Sequence, residues 1–481
     1  MILRLVNEFR AELAAKNVRL TAVEEELNAI KARLDNVRIT GRFRFRYDSG
    51  SQVATGAPLN GNPNTGTVDS SKAPIIFRAR EGLKVQVDGS VSPNVHLILG
   101  VEVASLASST PLTFNSGNFG LAGAGANSNS PQYIFANIAD LFFDWKNIFG
   151  WPVELWVGRF GGGQQGFATY PVQFGPFGLL LNTTSDQYGA STSNANNTGT
   201  HEIDGLRLAA HFAQALDLQI QGLIWRVAGA TGGTSYELGE DAYGVDANVQ
   251  IIPGLRLGAY YVGNTINTGG PVTPGALSQL YHVYGNPGTP STNPVTANCP
   301  VAGAAATTGG ITCPAAGNGY GAYVMWDILP PIHLDVEAAQ WNDNVHGTSD
   351  SGAYANVLWD LGTLLGVGHK LTIGTGYQYL GVNFYPPYGN DGDDFIVGSL
   401  FPGNLQGARA TIDFELIPGV SFHGGYFTGN SVSNSQSAQE YQGILRLDFA
   451  PGAYVLLRYD NQQQGGIGQG NLYRVEMNYT F

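Results

Sequence analysis

Charge is scarce in this chain. Lys, Arg, Asp and Glu make up 13% of its 481 residues, about half the share in an ordinary soluble domain, which argues against a cytosolic enzyme. Sulfur is nearly absent, with two Cys and three Met. Cys299 and Cys313 bracket PVAGAAATTGGIT, with no CxxC and no His between them, so no metal site is expected there. The pair is read as a local disulfide across a loop, with two free thiols as the alternative. Such a bridge restricts the loop by about 3 kcal/mol in the chain-entropy model and fits an oxidising compartment. No run of about 18 apolar residues is present, so a transmembrane helix is not expected. The eight His are scattered and none forms HExxH; His96, His333 and His423 fall among polar positions of alternating segments. No phosphate loop or basic recognition helix points to nucleotide or nucleic acid. An enzyme is therefore not expected, nor any cofactor or metal. MILRLVNEFRAEL acquires acids at once and offers no small-residue cleavage site. The chain is expected to be a fragment of a longer exported precursor, or its ordered part.

What is abundant is glycine, at 66 positions, and aromatic residues, at 11%. Mean hydropathy is near neutral at −0.06. A membrane β-barrel hides its hydrophobicity in this way, because lipid-facing and lumen-facing residues alternate and average out.

Residues 1–37 differ from the rest. Val6, Leu13, Leu20, Leu27 and Leu34 are seven apart, and Ile2, Phe9, Val23, Ile30 and Val37 form a second series interrupted by Lys16. Read as a and d positions, they predict an α-helical coiled coil in which Leu13, Leu20, Val23, Leu27, Ile30, Leu34 and Val37 form the seam. Leu at a with Ile or Val at d leans toward trimers or tetramers. A single amphipathic helix packed on a domain is the alternative. Charges cancel in this segment, so the formal −13 belongs to residues 38–481.

From Ile39 the period becomes two. ITGRFRFRYD puts Ile39, Phe43, Phe45 and Tyr47 against Arg42, Arg44 and Arg46. The same alternation recurs in VHLILGVEV, YGVDANVQI, KLTIGTGYQY, YVLLRYD and the terminal NLYRVEMNYTF. The connections alternate too. Tight ones fall at 88–94, 252–254, 329–331, 417–419 and 450–452. Long ones rich in Gly, Asn, Ser and Thr fall near 48–72, 106–131, 161–202, 264–318 and 381–405. This is the pattern of an antiparallel transmembrane β-barrel with short turns on one side and loops on the other. The fold class is all-β, with about 18 strands over residues 38–481 (16 being the alternative count). The last strand must pair with the first near Ile39–Tyr47, because an unpaired edge in lipid leaves backbone groups unsatisfied.

Three stretches resemble porins of the S-layer-homology (SLH) type, found in diderm bacteria whose outer membrane is tethered to the cell wall. LVNEFRAELAAKNVRLTAVEEEL is similar to the junction of an SLH domain with a periplasmic coiled coil. ITGRFRFRYD is similar to the first barrel strand after that coil. VELWVGRFGGG at 153–163 is similar to a strand leading into an inward-folding third loop. The resemblance implies an outer-membrane porin whose coil lies in the periplasm. It also implies tethering to peptidoglycan or another cell-wall polymer through an SLH domain that this sequence lacks.

The polar alternate positions then line a lumen. Arg42, Arg44, Arg46, Arg78, Arg80, Lys84, Arg458 and Arg474 are expected to form a basic wall at the seam. Glu102, Asp140, Asp144, Asp246, Asp327, Asp335 and Glu337 are expected on a separate acidic side. Facing each other they would set up a transverse field; local ion pairs, such as Arg458 with Asp460, are the alternative. The segment GGGQQGFATYPVQFGPFGLLLN is too apolar for a free loop. It is expected to fold inward and narrow the pore with Phe167, Tyr170, Phe174 and Phe177. A loop capping the barrel mouth or packing against a neighbouring subunit is the alternative, and a sharper one makes Phe167, Tyr170 and Phe174 a sugar-stacking slide. Glu81 breaks the alternation, so a bulge at Gly82 or a subunit interface is required. The functional reading is a homotrimeric porin passing small hydrophilic solutes and ions. Its alternatives are a tether with a nearly blocked lumen and a sugar-selective channel.

Overall fold

The computed structural model describes residues 37–51, 75–108, 132–161, 170, 172–182, 202–213, 216–226, 241–265, 317–343, 348–366, 369–381, 384, 386, 405–432, 437–464 and 468–481. Eighteen strands account for nearly all of them. The first six are β1 (Val37–Ser51), β2 (Ile75–Ser92), β3 (Val95–Ser108), β4 (Gln132–Trp145), β5 (Val153–Gly161) and β6 (Glu202–Phe212). Then follow β7 (Leu218–Arg226), β8 (Asp241–Ile252), β9 (Leu255–Thr265), β10 (Gly317–Leu329), β11 (Ile332–Asp343) and β12 (Thr348–Asp360). The last six are β13 (Leu371–Leu380), β14 (Leu405–Ile417), β15 (Val420–Ser431), β16 (Ser437–Ala450), β17 (Ala453–Gln464) and β18 (Gly468–Thr480). Each pairs antiparallel with its neighbours in sequence, and β18 pairs with β1, so the sheet closes. At the seam Phe45 lies opposite Met477. Gly41 N–H donates to Phe481 O at 2.8 Å and Phe481 N–H to Gly41 O at 2.9 Å. No helix among the described residues is long and apolar enough to cross a membrane.

Side-chain alternation on this ladder runs opposite to that of a water-soluble protein. On β18 Tyr473, Val475, Met477 and Tyr479 are 39–54% exposed, whereas Arg474, Glu476 and Asn478 are at most 5% exposed. Tyr377 is 51% exposed beside Gln378 at 2%. The period of two thus sorts apolar residues outward and polar residues inward around the ring. Outward tyrosines sit at a common level toward the loop side: Tyr47, Tyr243, Tyr261, Tyr320, Tyr377, Tyr426, Tyr441, Tyr459 and Tyr473. Several pair across strands, as in Tyr459–Tyr473 at 5.0 Å and Tyr426–Tyr441 at 4.9 Å between centroids. A second row of Phe143, Trp326, Trp359, Phe449, Tyr479 and Phe481 is exposed toward the turn side. From Tyr473 to Phe481, strand rise and tilt give a band about 20 Å tall.

All five tight connections expected from the sequence are two-residue turns, and each follows a register shift near the end of the preceding strand. Gly254, Gly419 and Gly452 have φ of +82°, +82° and +73° there, backbone that only glycine adopts without strain. The sorting of connections by length is incomplete. β11–β12, β15–β16 and β17–β18 are joined on the loop side by only a few residues. On the turn side, β12 and β13 are joined through a one-turn helix, Leu361–Leu365, capped by Asp360.

Two expectations are corrected. Val37 is the first residue of β1, opposite Gly89, and not the last position of a coil. Its extended backbone is required by pairing with β2, which takes precedence over the heptad count. Glu81 stands in a continuous register, opposite Phe45 on one side and Ser105 on the other, so no bulge turns it inward. The other coil positions, Leu13, Leu20, Val23, Leu27, Ile30 and Leu34, lie outside the described residues, as do Cys299, Cys313 and Phe167.

Candidate permeation pathway

Residues 172–182 lie inside the barrel. A narrow hairpin forms where Gln173 bridges to Asn182 and Phe174 N–H donates to Leu181 O at 3.1 Å. Val172, Phe174, Leu179, Leu180 and Leu181 are buried, which accounts for the apolar run that no external loop could carry. The contacts of the segment follow the wall in strand order. Tyr170 packs edge-on against Phe142 of β4 and Trp156 of β5, and its hydroxyl accepts from Gln86 Nε2 of β2 at 2.7 Å. Gln221 of β7 donates to Gln173 O at 3.1 Å. Phe174 lies against Tyr260 of β9. Phe177 stacks on Tyr354 of β12 at 5.2 Å, with the Arg409 guanidinium of β14 5.6 Å from both rings. The described contacts of the segment therefore run along the wall from β2 to β14; on the rest of the ring, inward groups such as Arg44, Glu440, Asp460 and Arg474 are themselves buried.

Glu337 fixes the hairpin tip. This carboxylate on β11 is fully buried. It accepts from the backbone N–H groups of Phe177 at 2.6 Å, Gly178 at 3.1 Å and Leu179 at 2.9 Å, and from the Tyr260 hydroxyl. Three successive N–H groups can converge on one carboxylate because Gly175 and Gly178 have φ of +72° and +64°. A side chain at Gly175 would also lie 2.6 Å from Glu337 Oε2, so this GPFG turn is matched to its acceptor.

The register gathers the basic residues on four neighbouring strands. Arg458 on β17 is opposite Arg474 on β18. On β1, Arg42 is opposite Lys84 of β2, Arg46 is opposite Arg80, and Asp48 separates Arg474 from Arg78. Arg44, Lys84, Arg458 and Arg474 are buried among lumen groups. This wall is partly neutralised: Arg44 lies 3.9 Å from Glu476, and Arg458 donates to Asp460 at 2.6 Å. Arg42 donates to Asn478 and to the Tyr454 hydroxyl.

The acids divide into two groups: Asp246, Asp327, Asp335 and Glu337 stand on β8, β10 and β11, across the closed ring from β1, and Glu102, Asp140 and Asp144 stand on β3 and β4, next to β2. Asp140 is ion-paired with Lys84 at 2.5 Å and so belongs to the basic wall; Glu102 is opposite Lys84 in register. Asp144 pairs with Lys146 at 3.2 Å. Asp246 is buried and accepts from Tyr323 and Gln221, and Glu337 is taken up by the hairpin. Asp327 and Asp335 both contact His333, at 2.6 and 2.9 Å. Register or the hairpin brings donors to Asp140, Asp246, Asp327 and Glu337, whereas Asp144 and Asp335 pair with residues two positions away in sequence, Lys146 and His333. Local partners, which the alternative to a transverse field expects, stand beside these six acids. His96 and His423 also lie on the lumen face, beside Asp88 and Asp413.

Sequence reasoning did not single out Gln86, Trp156, Tyr260, Tyr354 or Arg409. It also missed a cavity of about 510 Å³ at the turn-side end of the lumen. There Arg207 pairs with Glu154 at 3.0 Å and lies 4.2 Å over the Trp156 ring.

No protein-family model matches the sequence, and no curated protein matches it. Solved structures do share the fold. OccAB4 of Acinetobacter baumannii aligns with a TM-score of 0.51 at 11% identity, covering 92% of this chain and 98% of that one. The outer membrane protein OpdK of Pseudomonas aeruginosa gives 0.50 at 10% identity, over 92% and 98%. A structure of OpdK with vanillate gives 0.50 at 9% identity over the same shares.

Proposed function

We propose that this chain is an outer-membrane porin, and not an enzyme, through which small hydrophilic solutes and ions diffuse passively. The observation that carries this reading is the inverted sorting of side chains in a closed barrel, with an apolar, tyrosine-bordered exterior and a charged interior. A lumen lined by fixed charges and narrowed by a wall-bound hairpin is how a passive channel selects. The shared fold with OpdK, an outer membrane protein, is consistent with it. That OpdK was solved with vanillate, a small aromatic carboxylate, suggests the kind of solute to try first.

The finer reading keeps the SLH-type arrangement. β1 begins and β18 ends at the turn side, so residues 1–36 would leave the barrel on the periplasmic face. A trimeric coil there would lead to a cell-wall-binding domain. Planar-bilayer recording tests the channel: discrete open steps support it, whereas a sealed barrel without current leaves only an anchor joining membrane to wall.

The exterior makes a further prediction. Leu457, midway up the outer face between Leu445 and Val475, meets lipid in this reading. Leu457→Arg is expected to cost about 2–4 kcal/mol, as at a bilayer midplane, measured by urea unfolding from vesicles. A loss below about 0.5 kcal/mol contradicts a lipid-facing position.

A further inference from the structure

The cavity at the turn-side end of the lumen is enclosed by the wall from β4 to β8. Its roof is the inward segment, held there by Gln221 Nε2, which donates to Gln173 O at 3.1 Å. Two connections border it, β4–β5 and β6–β7, and both are longer than the two-residue turns. All three non-glycine residues with positive φ among the described residues lie in them: Asn147 (+52°), Phe149 (+53°) and Asp217 (+41°). Strained backbone of this kind collects at binding sites. Charge around the cavity does not balance. Lys146 lies 3.2 Å from Asp144, Arg207 lies 3.0 Å from Glu154, and Arg256 pairs with Asp217. Asp246 is 3% exposed and accepts from neutral groups, the Tyr323 hydroxyl at 3.1 Å and the Gln221 amide at 3.4 Å. Among the described residues no cation pairs with it. The rest of the lining is rich in amides, with Gln219 and Asn248 beside Gln221. Arg207 uses Nε and Nη1 on Gln221 and Glu154, and its Nη2 has no protein partner among the described residues. The guanidinium lies 4.2 Å over the Trp156 ring, so the aromatic face here is covered.

We infer that this cavity is a solute subsite for an aminated sugar or amino alcohol, a small molecule with one ammonium and several hydroxyls. A buried carboxylate without a cation is costly, and Asp246 has room beside it for one. The neighbouring carboxylates already have their cations, so a second positive charge on the solute gains nothing. A hydroxyl both donates and accepts. It can therefore use Arg207 Nη2, the Gln219 amide and the free lone pairs of paired carboxylates without breaking a pair. With the Trp156 ring covered, recognition runs through charge and hydrogen bonds and not through stacking. The volume falls within the range of about 300–1,000 Å³ usual for small-molecule sites. A solute carrying a carboxylate, vanillate included, would face Asp246 and bind here more weakly. The cavity lies between the hairpin and the turn-side mouth, so a solute reaches it from that side without passing the constriction. This inference rests on the porin reading and deepens it by naming the solute class at one place in the lumen.

Single-channel recording with three solutes of one ring size and different charge tests it. Glucosamine as its ammonium, glucose and glucuronate are each added on the turn side of the full-length protein in KCl. Glucosamine is expected to block the current at a concentration about tenfold below that of glucose, the scale of one hydrogen bond to a buried charge. Glucuronate is expected to block least. Asp246→Asn keeps the shape and an acceptor for Tyr323 but removes the charge, and the preference for glucosamine over glucose is expected to vanish. Asp413→Asn, at a lumen carboxylate on β14 that pairs with His423, is expected to keep that preference. Should Asp246→Asn fail to assemble, Ala209→Phe fills the cavity from β6 without changing a charge and is expected to lose the preference as well. Open KCl steps with equal block by glucosamine and glucose, or a preference that survives in Asp246→Asn, would overturn the inference and leave the channel standing. A protein that gives no KCl steps fails the channel reading itself, and the subsite with it.

Discussion

Glu337→Ala is expected to turn a quiet channel into a flickering one. The substitution strands the N–H groups of Phe177, Gly178 and Leu179 away from solvent, and each orphaned buried donor costs about 1–3 kcal/mol. Phe174 and Leu179 to Leu181 still hold the hairpin by apolar packing, so the segment is loosened without being unfolded. With the wall behind it, a loosened tip can move only toward the lumen. Single-channel records should therefore show frequent partial closures, while the thermal stability of the barrel, set by the closed ladder, stays close to that of the parent. Glu337→Gln should lie between, since its amide keeps one acceptor oxygen but turns a second donor toward Leu179 N–H or the Tyr260 hydroxyl. Open-channel noise indistinguishable from the parent in the alanine variant would show that Glu337 does not hold the constriction.

Removing the charges of Arg42, Arg44 and Arg46 together is expected to lower anion preference. The wall lies at the level of the constriction: Lys84 and Gln86 are two residues apart on β2, and Gln86 donates to Tyr170 of the inward segment. On β17, β18 and β1 the inward Arg458, Arg474 and Arg44 are at most 8% exposed, so they act on a passing ion through their field and not by contact. An ion passing the narrow part is therefore subject to the field of a basic wall, despite the net charge of −13. In R42A/R44A/R46A the anion-to-cation permeability ratio from reversal potentials should fall about threefold or more, which is ~0.7 kcal/mol at the effective dielectric of a half-buried site. High salt should shrink the difference by screening. An unchanged ratio would mean that Glu476, Asp460 and Asp140 already cancel the wall.

The barrel was legible because its signals are local. Alternation at ITGRFRFRYD and NLYRVEMNYTF, and turns such as IPG, depend on a few adjacent residues, and those segments became strands and two-residue turns. The inward segment was legible from composition, since the run from Phe174 to Leu181 required burial. What depends on register was hidden. Asp140 reads as one acid among several until β4 is set against β3 and β2, which brings it to Lys84. Glu337 reads as a lumen carboxylate until a hairpin 158 to 160 residues away is seen to fold onto it. Val37 satisfied a heptad and a strand equally well, and pairing with β2 decided between them. Glu81 was recognised as an exception, but only the unbroken pairing from Val37 to Ser51 removed the bulge explanation.

The central claim is that alternate residues of each strand face lipid and a wet lumen. A spin-label accessibility scan along β18 in reconstituted membranes, from position 472 to 480 in a C299S/C313S background, measures this directly. The account predicts a period of two: labels at 473, 475, 477 and 479 favour collision with lipid-soluble oxygen, and labels at 474, 476 and 478 favour a water-soluble nickel chelate. Uniform accessibility along the strand, or the opposite phase, would contradict it.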